Sequence, residues 1–326
     1  MSLDTLHMMD LRFWLLISLA FCCVRMEAPP RMQARVAPDG QVDITDSGRP
    51  VLRYNYRTIE PGERLKEIAE PNLIYARARS DYIHPLYGFD GEELTKDLPI
   101  DHPHHRGIYW AWPETKYGDQ MGDLHALQRV FARPTGKLKV RSGAGFAEVQ
   151  AESLWQWEDR EPIVRELAII RAYASSEKGR VIDLTFRMAA LKDGVSIARR
   201  GTNAYGGLNM RMNANTGQKI TFHPDPATVK PRGAWAEMHG TFAGGKSATG
   251  VVVLQHPENP DFPGDWVQYP ELNWFQPTFP AANTRYELKP GKPLTLRWRL
   301  WIHGGEPATE DICRAMWNAY AKGKLR

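Results

Sequence analysis

RVIDLTFRMAAL, residues 180–191, sets Ile182, Leu184, Phe186 and Met188 in alternation with Asp183, Thr185 and Arg187. A period of two sends successive side chains to opposite faces of an extended chain, so the stretch predicts a strand with one buried face. The pattern returns near the end of the chain, where Leu294, Leu296, Trp298, Leu300 and Ile302 alternate with Thr295, Arg297, Arg299 and Trp301. VDITDSGRPVLRYNY (42–56) reads as a hairpin about a DSG turn, and IVRELAIIRAYASSEKGRVIDLTF (163–186) as two strands joined by a Ser/Lys/Gly connection. Further turn chemistry at PTGK, SGAG, KDG, AGGK and KPGKP recurs at strand-length intervals. So many antiparallel strands predict an all-β fold, a large antiparallel β-sandwich.

One helix stands out, from Pro307 to Lys322. Thr309 is its candidate N-cap, Glu310 and Asp311 fill the first turn, and Ile312, Ala315, Met316 and Ala319 are apolar at helical spacing. It is expected to flank the sheets. HPENPDFPGDWVQYPELNWFQPTFP (256–280) reads as one long irregular loop, a class of segment that often covers ligands.

The N-terminus follows a different logic. Arg12 precedes FWLLISLAFCCV (13–24), too short to span a bilayer as a helix and of the length of a signal-peptide core. The expectation is a signal peptide over residues 1–28, export to the periplasm or the extracellular space, and a single domain over 29–326. Removal of the leader leaves Cys313 alone, so no internal disulfide can form, and Cys313 reads as a core residue rather than a nucleophile. The 42 basic and 38 acidic residues are interspersed, leaving a net charge of +4 without a basic block, so no nucleic-acid partner is indicated.

The chemistry concentrates in LPIDHPHHRGIYWAW (98–112). In an extended segment His102, His104 and Arg106 would share one face, with Asp101 and His105 on the other. An imidazole of His104 or His105 can serve as acid or base, with Arg106 holding a ligand oxygen and Asp101 orienting a ring. Alternatively His102 and His104 supply two ligands of a divalent metal, completed by His125, His256 or a carboxylate. A structural role, with histidines on backbone carbonyls and Arg106 on Asp101, would leave the same sequence. Trp110 and Trp112 share a face and could offer a sugar platform, although core filling is the commoner use of tryptophan. Nucleotide-binding loops and a GxSxG elbow are absent from the sequence, and no cofactor is expected beyond that metal.

DHPHHRGIYWAW, GDLHALQRVF, AYGGLNMRMN, RGAWAEMHG and VVVLQHPENP, taken in order, resemble the PmoA-like family of exported bacterial proteins, labelled after a methane oxygenase subunit. The chain beyond the leader has no apolar span of about 18 residues, as a membrane-embedded oxygenase subunit would need, so methane oxidation is not expected. The resemblance implies a fold similar to galactose mutarotase, whose concave sheet face binds sugars and moves protons with histidine and carboxylate groups. It implies a site of His104, His105, Arg106, His125, Arg211, Asn213 and His256, with Glu237 and Glu258 the carboxylates nearest in sequence. The expected function is acid/base chemistry on a carbohydrate by an exported enzyme, with a histidine moving the proton and Arg106 or Arg211 stabilising charge. A non-catalytic sugar-binding module and a metal-dependent enzyme are the alternatives.

Overall fold

A computed structural model describes residues 30–222 and 233–325. The leader expected over residues 1–28 lies outside the described residues. Two eight-stranded antiparallel sheets dominate. The first runs in the order Met32–Val36, Val42–Asp46, Arg49–Asn55, Tyr82–Leu86, Ile108–Ala111, Gly207–Arg211, Trp274–Pro277, Trp266–Tyr269. The second runs Asn215–Phe222, Trp235–Phe242, Thr249–Gln255, Leu294–Gly304, Arg180–Ala190, Glu161–Tyr173, Phe146–Trp157, Val130–Arg141. A four-stranded sheet of Tyr286–Leu288, Val195–Ala198, Glu114–Tyr117 and Gln120–Gly122 completes the all-β architecture.

The alternation that predicted the fold appears as burial. Ile182, Leu184, Phe186 and Met188 are fully buried, Asp183 and Thr185 are half-buried and Arg187 is exposed. Antiparallel pairing sets Leu184 opposite Trp298 and Phe186 opposite Leu296, so both patterned strands turn the same face to one core. Across the gap Phe186 stacks on Trp110 of the first sheet, with ring centroids 3.7 Å apart. The two sheets meet there. Trp112 also lies in this core, its indole donating to the Phe279 carbonyl at 2.7 Å. Neither tryptophan can form a sugar platform, because both spend their faces on inter-sheet packing.

A carboxyl group sits inside this apolar layer. Glu166 accepts from the indole nitrogens of Trp155, at 2.6 Å, and of Trp110. Burial raises its pKa, and the charge of nearby Asp81 adds to the effect; burial likewise raises that of Asp81.

The helix forms over Glu310–Ala321, with Thr309 as its N-cap accepting from the Ile312 amide. Its inward face differs from the expected one. Cys313, Met316, Ala319 and Tyr320 are buried while Ile312 and Ala315 are exposed, a rotation set by a small second core with Trp235, Val252, Leu254 and Trp301. That core explains why Trp301, read as outward-facing, is buried. Cys313 is indeed a core residue, and burial pushes its thiol up to about 12, well away from thiolate chemistry. The segment 256–280, read as a continuous loop, contains the strands Trp266–Tyr269 and Trp274–Pro277, which extend the first sheet past Gly207–Arg211.

Candidate functional site

The first sheet carries a histidine cluster at one end of its central strands. The segment before Ile108–Ala111 is not extended. The amide of His105 donates to the His102 carbonyl at 2.9 Å, closing a turn, and Gly107 adopts a positive φ of 59°. A Cβ on Gly107 would lie 2.2 Å from the Ile83 carbonyl oxygen, so only glycine fits. The turn replaces the expected two-sided arrangement and gathers His102, His104 and His105. Ring centroids of His102 and His105 are 4.8 Å apart in a stack, and those of His104 and His105 4.5 Å apart edge to face.

His125 arrives from a separate loop, after Gln120–Gly122. Asp123 shapes that loop by accepting from the Ala126 amide at 2.7 Å. Arg79 ties the two histidine loops together, donating to the His104 carbonyl at 3.0 Å and the Leu124 carbonyl at 2.6 Å, with its guanidinium 4.5 Å above the Tyr109 ring. Tyr109, on the strand Ile108–Ala111, holds Nδ1 of His125 at 3.3 Å through its hydroxyl. The result is a triad: His104, His105 and His125 each offer a ring nitrogen within 4.8 Å of the others.

Arg211 closes the site from the end of Gly207–Arg211. Its Nη1 donates to His105 Nδ1 at 3.2 Å, and its Nη2 donates to both carboxylate oxygens of Asp101 at 2.9 and 3.2 Å. His102 Nδ1 lies 3.1 Å from the same carboxylate. Burial acts to raise the pKa of Asp101, yet the hydrogen bonds from His102 and Arg211 bring it below the ordinary value. Opposite Arg211 in the sheet stands Trp274, whose indole packs 4.2 Å from His105 and stacks on His125. Tyr75 and Tyr205 add rings against His104 and His125.

The electrostatics are one-sided. Burial, then the charge of Arg79, pushes His104 down to about 3. His105 falls well below the ordinary value through burial and then its neighbours His104, His125 and Arg211. His125 does so through burial, His104, Arg79 and Arg200. All three imidazoles are neutral at physiological pH. Around them stand three guanidinium groups, Arg79, Arg200 and Arg211, against two carboxylates, Asp101 and Asp123. Buried polar atoms without a hydrogen-bond partner include His104 Nδ1, His105 Nε2, His125 Nε2, Arg211 Nε and Trp274 Nε1, all from this one cluster.

Several expected participants are elsewhere. Arg106, 1% exposed, pairs with Asp97 and donates to the Tyr82 hydroxyl at 2.7 Å; it anchors the turn and does not face the triad. His256 accepts from the Glu258 amide at 3.1 Å and packs against Tyr320 of the helix, so it caps a turn under the second sheet. Glu237 is fully buried against His303, at 2.8 Å, and accepts from the Ala308 amide at 3.1 Å, fastening the segment before the helix. Asn213 donates to the Glu93 carbonyl at 2.8 Å, a loop contact outside the cluster. The expected metal pair of His102 and His104 gives way to the triad, because the turn swings His105 inward while His102 bonds Asp101. Sequence reasoning missed Arg79, Tyr109, Tyr205 and Trp274. Arg79 carried no signal, whereas Tyr109 lies in GIYWAW, Tyr205 in AYGGLNMRMN and Trp274 in the long segment with ligand-covering character.

The sequence matches no curated protein. Among solved structures, a putative kojibiose phosphorylase from the human microbiome aligns at 10% identity and a TM-score of 0.31, over 66% of this chain and 25% of its own. A polysaccharide lyase aligns at 12% identity and a TM-score of 0.28, over 89% of this chain and 34% of its own. The chain thus spans about a quarter to a third of the length of these proteins, and likeness at this level has no bearing on activity. Among the described residues no helix is long and apolar enough to cross a membrane. A family model matches residues 41–317, and the chain belongs to that family, DUF6807, a family of unknown function.

Proposed function

We propose that the chain is an enzyme acting on a carbohydrate, with His104, His105, His125 and Arg211 stabilising negative charge on a substrate oxygen and moving its proton. One observation carries this reading: buried N–H donors without acceptors. Arg211 Nε and Trp274 Nε1 can only donate. Because Arg211 Nη1 donates to His105 Nδ1, neutral His105 carries its proton on Nε2, a third unpartnered donor. Each such group left unmatched costs about 1–3 kcal/mol, and a substrate rich in oxygen acceptors would recover that cost. The excess of guanidinium over carboxylate favours charge developing on such an oxygen. His104, neutral with an unpartnered Nδ1, is the proton acceptor; a neighbouring oxyanion would raise its affinity for the proton. Tyr75, Tyr205 and Tyr269 give amphipathic rings for sugar faces, in place of the buried Trp110 and Trp112.

The triad favours a second reading, a divalent cation on His104, His105 and His125. A tetrahedral ion with nitrogens at about 2 Å sets them about 3.3 Å apart, so the rings would have to close by up to about 1.5 Å. It would act as a Lewis acid on the substrate oxygen. Arg211 opposes it, since a ligand at His105 Nε2 must give up the proton placed there.

Metal content by mass spectrometry, joined to a screen of glycosides and free sugars before and after chelation, separates the two. The donor reading expects turnover that survives chelation in protein free of stoichiometric metal. Stoichiometric metal with activity lost on chelation would establish the cation instead, and absence of turnover across the carbohydrate panel would overturn the substrate class.

A further inference from the structure

A cavity of about 570 Å³ opens between the Val42–Asp46/Arg49–Asn55 hairpin, the loop after Tyr82–Leu86 and the turn before Arg180–Ala190. It shares no residue with the histidine cluster. Arg31, Arg49 and Arg180 line it, together with Asp46, Phe89, Asp90 and Ser175.

Arg180 is the informative member. It is 3% exposed, yet no carboxylate among the described residues lies within ion-pairing distance of it. Its Nη1 donates to the Tyr87 carbonyl at 2.8 Å, its Nε donates to Ser175 Oγ at 3.2 Å, and its guanidinium lies 4.9 Å from the Phe89 ring centre. These neutral contacts fix the fork without an ion pair. Burial lowers its pKa from the usual arginine value, with the more distant charges of Asp46 and Glu92 acting against that. A buried arginine with no carboxylate in direct contact is costly, and an anion at its fork would offset that cost.

Of the two carboxylates in the cavity, Asp46 is ion-paired and Asp90 is held by a backbone amide. Asp46 receives Arg31 Nε at 2.7 Å and the Ser175 amide at 2.8 Å, and although burial opposes it, these bonds hold its pKa down at about 2. Asp90 accepts from the Lys246 amide at 2.7 Å. Arg49 is exposed, its side chain has no partner among the described residues, and it lines the same space. Three guanidinium groups thus face two carboxylates around this space, and Arg180 Nη2 and the Arg49 fork carry no hydrogen bond among the described residues.

We propose that this cavity binds a sugar acid: a carboxylate carried on a sugar-sized ring, held by the forks of Arg180 and Arg49. A planar fork suits a carboxylate with two parallel hydrogen bonds. The volume lies in the range of organic-ligand pockets and exceeds what an inorganic ion would fill. The inference stands apart from the proposed activity and does not depend on it.

Isothermal titration of the full chain with D-glucuronate, glucose and sodium sulfate tests it. Glucuronate is expected to bind and glucose not to. Raising salt from about 50 to about 300 mM should weaken glucuronate several-fold, since surface-accessible charge is screened. Arg49→Glu should weaken it at least ~10-fold, as should Arg180→Lys, which keeps the charge and loses the fork. Should Arg180→Lys fail to fold, the exposed Arg49→Glu decides alone. Absence of glucuronate binding, equal binding of glucose, sulfate competing as well as glucuronate, or an unchanged affinity in Arg49→Glu would each overturn the proposal.

Discussion

Replacing Phe186 with alanine is expected to destabilise the protein by about 3–5 kcal/mol in urea unfolding. The side chain is fully buried, pairs across the second sheet with Leu296, and meets Trp110 at 3.7 Å and Trp298 at 5.9 Å. Truncation removes its transfer free energy, leaves a cavity between two sheets that cannot both close on it, and breaks an aromatic pair worth a further ~0.5–1.5 kcal/mol. Set against a typical total of about 5–15 kcal/mol, little stability would be left. The neighbouring Arg187→Ala, on the exposed face, should change stability by about 0.5 kcal/mol or less. Similar losses in the two variants would contradict the sandwich.

Arg211→Met is expected to lower kcat by about 10²- to 10³-fold on whichever sugar the wild type turns over. The substitution keeps the aliphatic stem and removes every guanidinium donor, including the one on His105 Nδ1. The released Asp101 carboxylate is 41% exposed, so water can take the place of Arg211 and folding should be largely retained. Two further readouts separate catalysis from structure. His105 loses one of the charges that depress its pKa, so that pKa should move back towards the ordinary histidine value and appear as a new ionisation in the pH profile. Arg211→Lys should restore charge without the fork and recover only part of the rate. Wild-type kcat in Arg211→Met would remove this residue from the chemistry.

Residues 180–191 and 294–302 were legible because one sheet face is buried along their whole length, so composition alternates with geometry. The N-cap Thr309 was legible for a similar reason, since capping is settled within a few residues. Trp301 was not, because its burial depends on a helix that returns from later in the chain to cover the outer face. The strands Trp266–Tyr269 and Trp274–Pro277 span four residues each, too few to establish a period amid so many prolines. At the site, DHPHHRG located the chemistry but not its geometry. Alternation assumed an extended backbone, whereas the His102–His105 turn and Gly107 rotate the rings to one side. Arg106 and Arg211 were indistinguishable in sequence; Asp97 takes the first and Asp101 orders the second. His256 follows the strand Thr249–Gln255 and Glu237 lies within Trp235–Phe242, so both belong to the second sheet and pack towards the C-terminal helix segment instead of the histidine cluster.

The carboxyl of Glu166, gripped between the indoles of Trp110 and Trp155, gives the interior an optical voltmeter. With its pKa raised by burial, the group stays protonated in the folded chain at pH values where the unfolded chain has already lost the proton. Its contribution to stability is therefore complete below the ordinary carboxylate range and fades as pH climbs through the elevated native value. The arriving negative charge lies beside two chromophores, so their emission should shift along the same titration, and Glu166→Gln should silence both signals together.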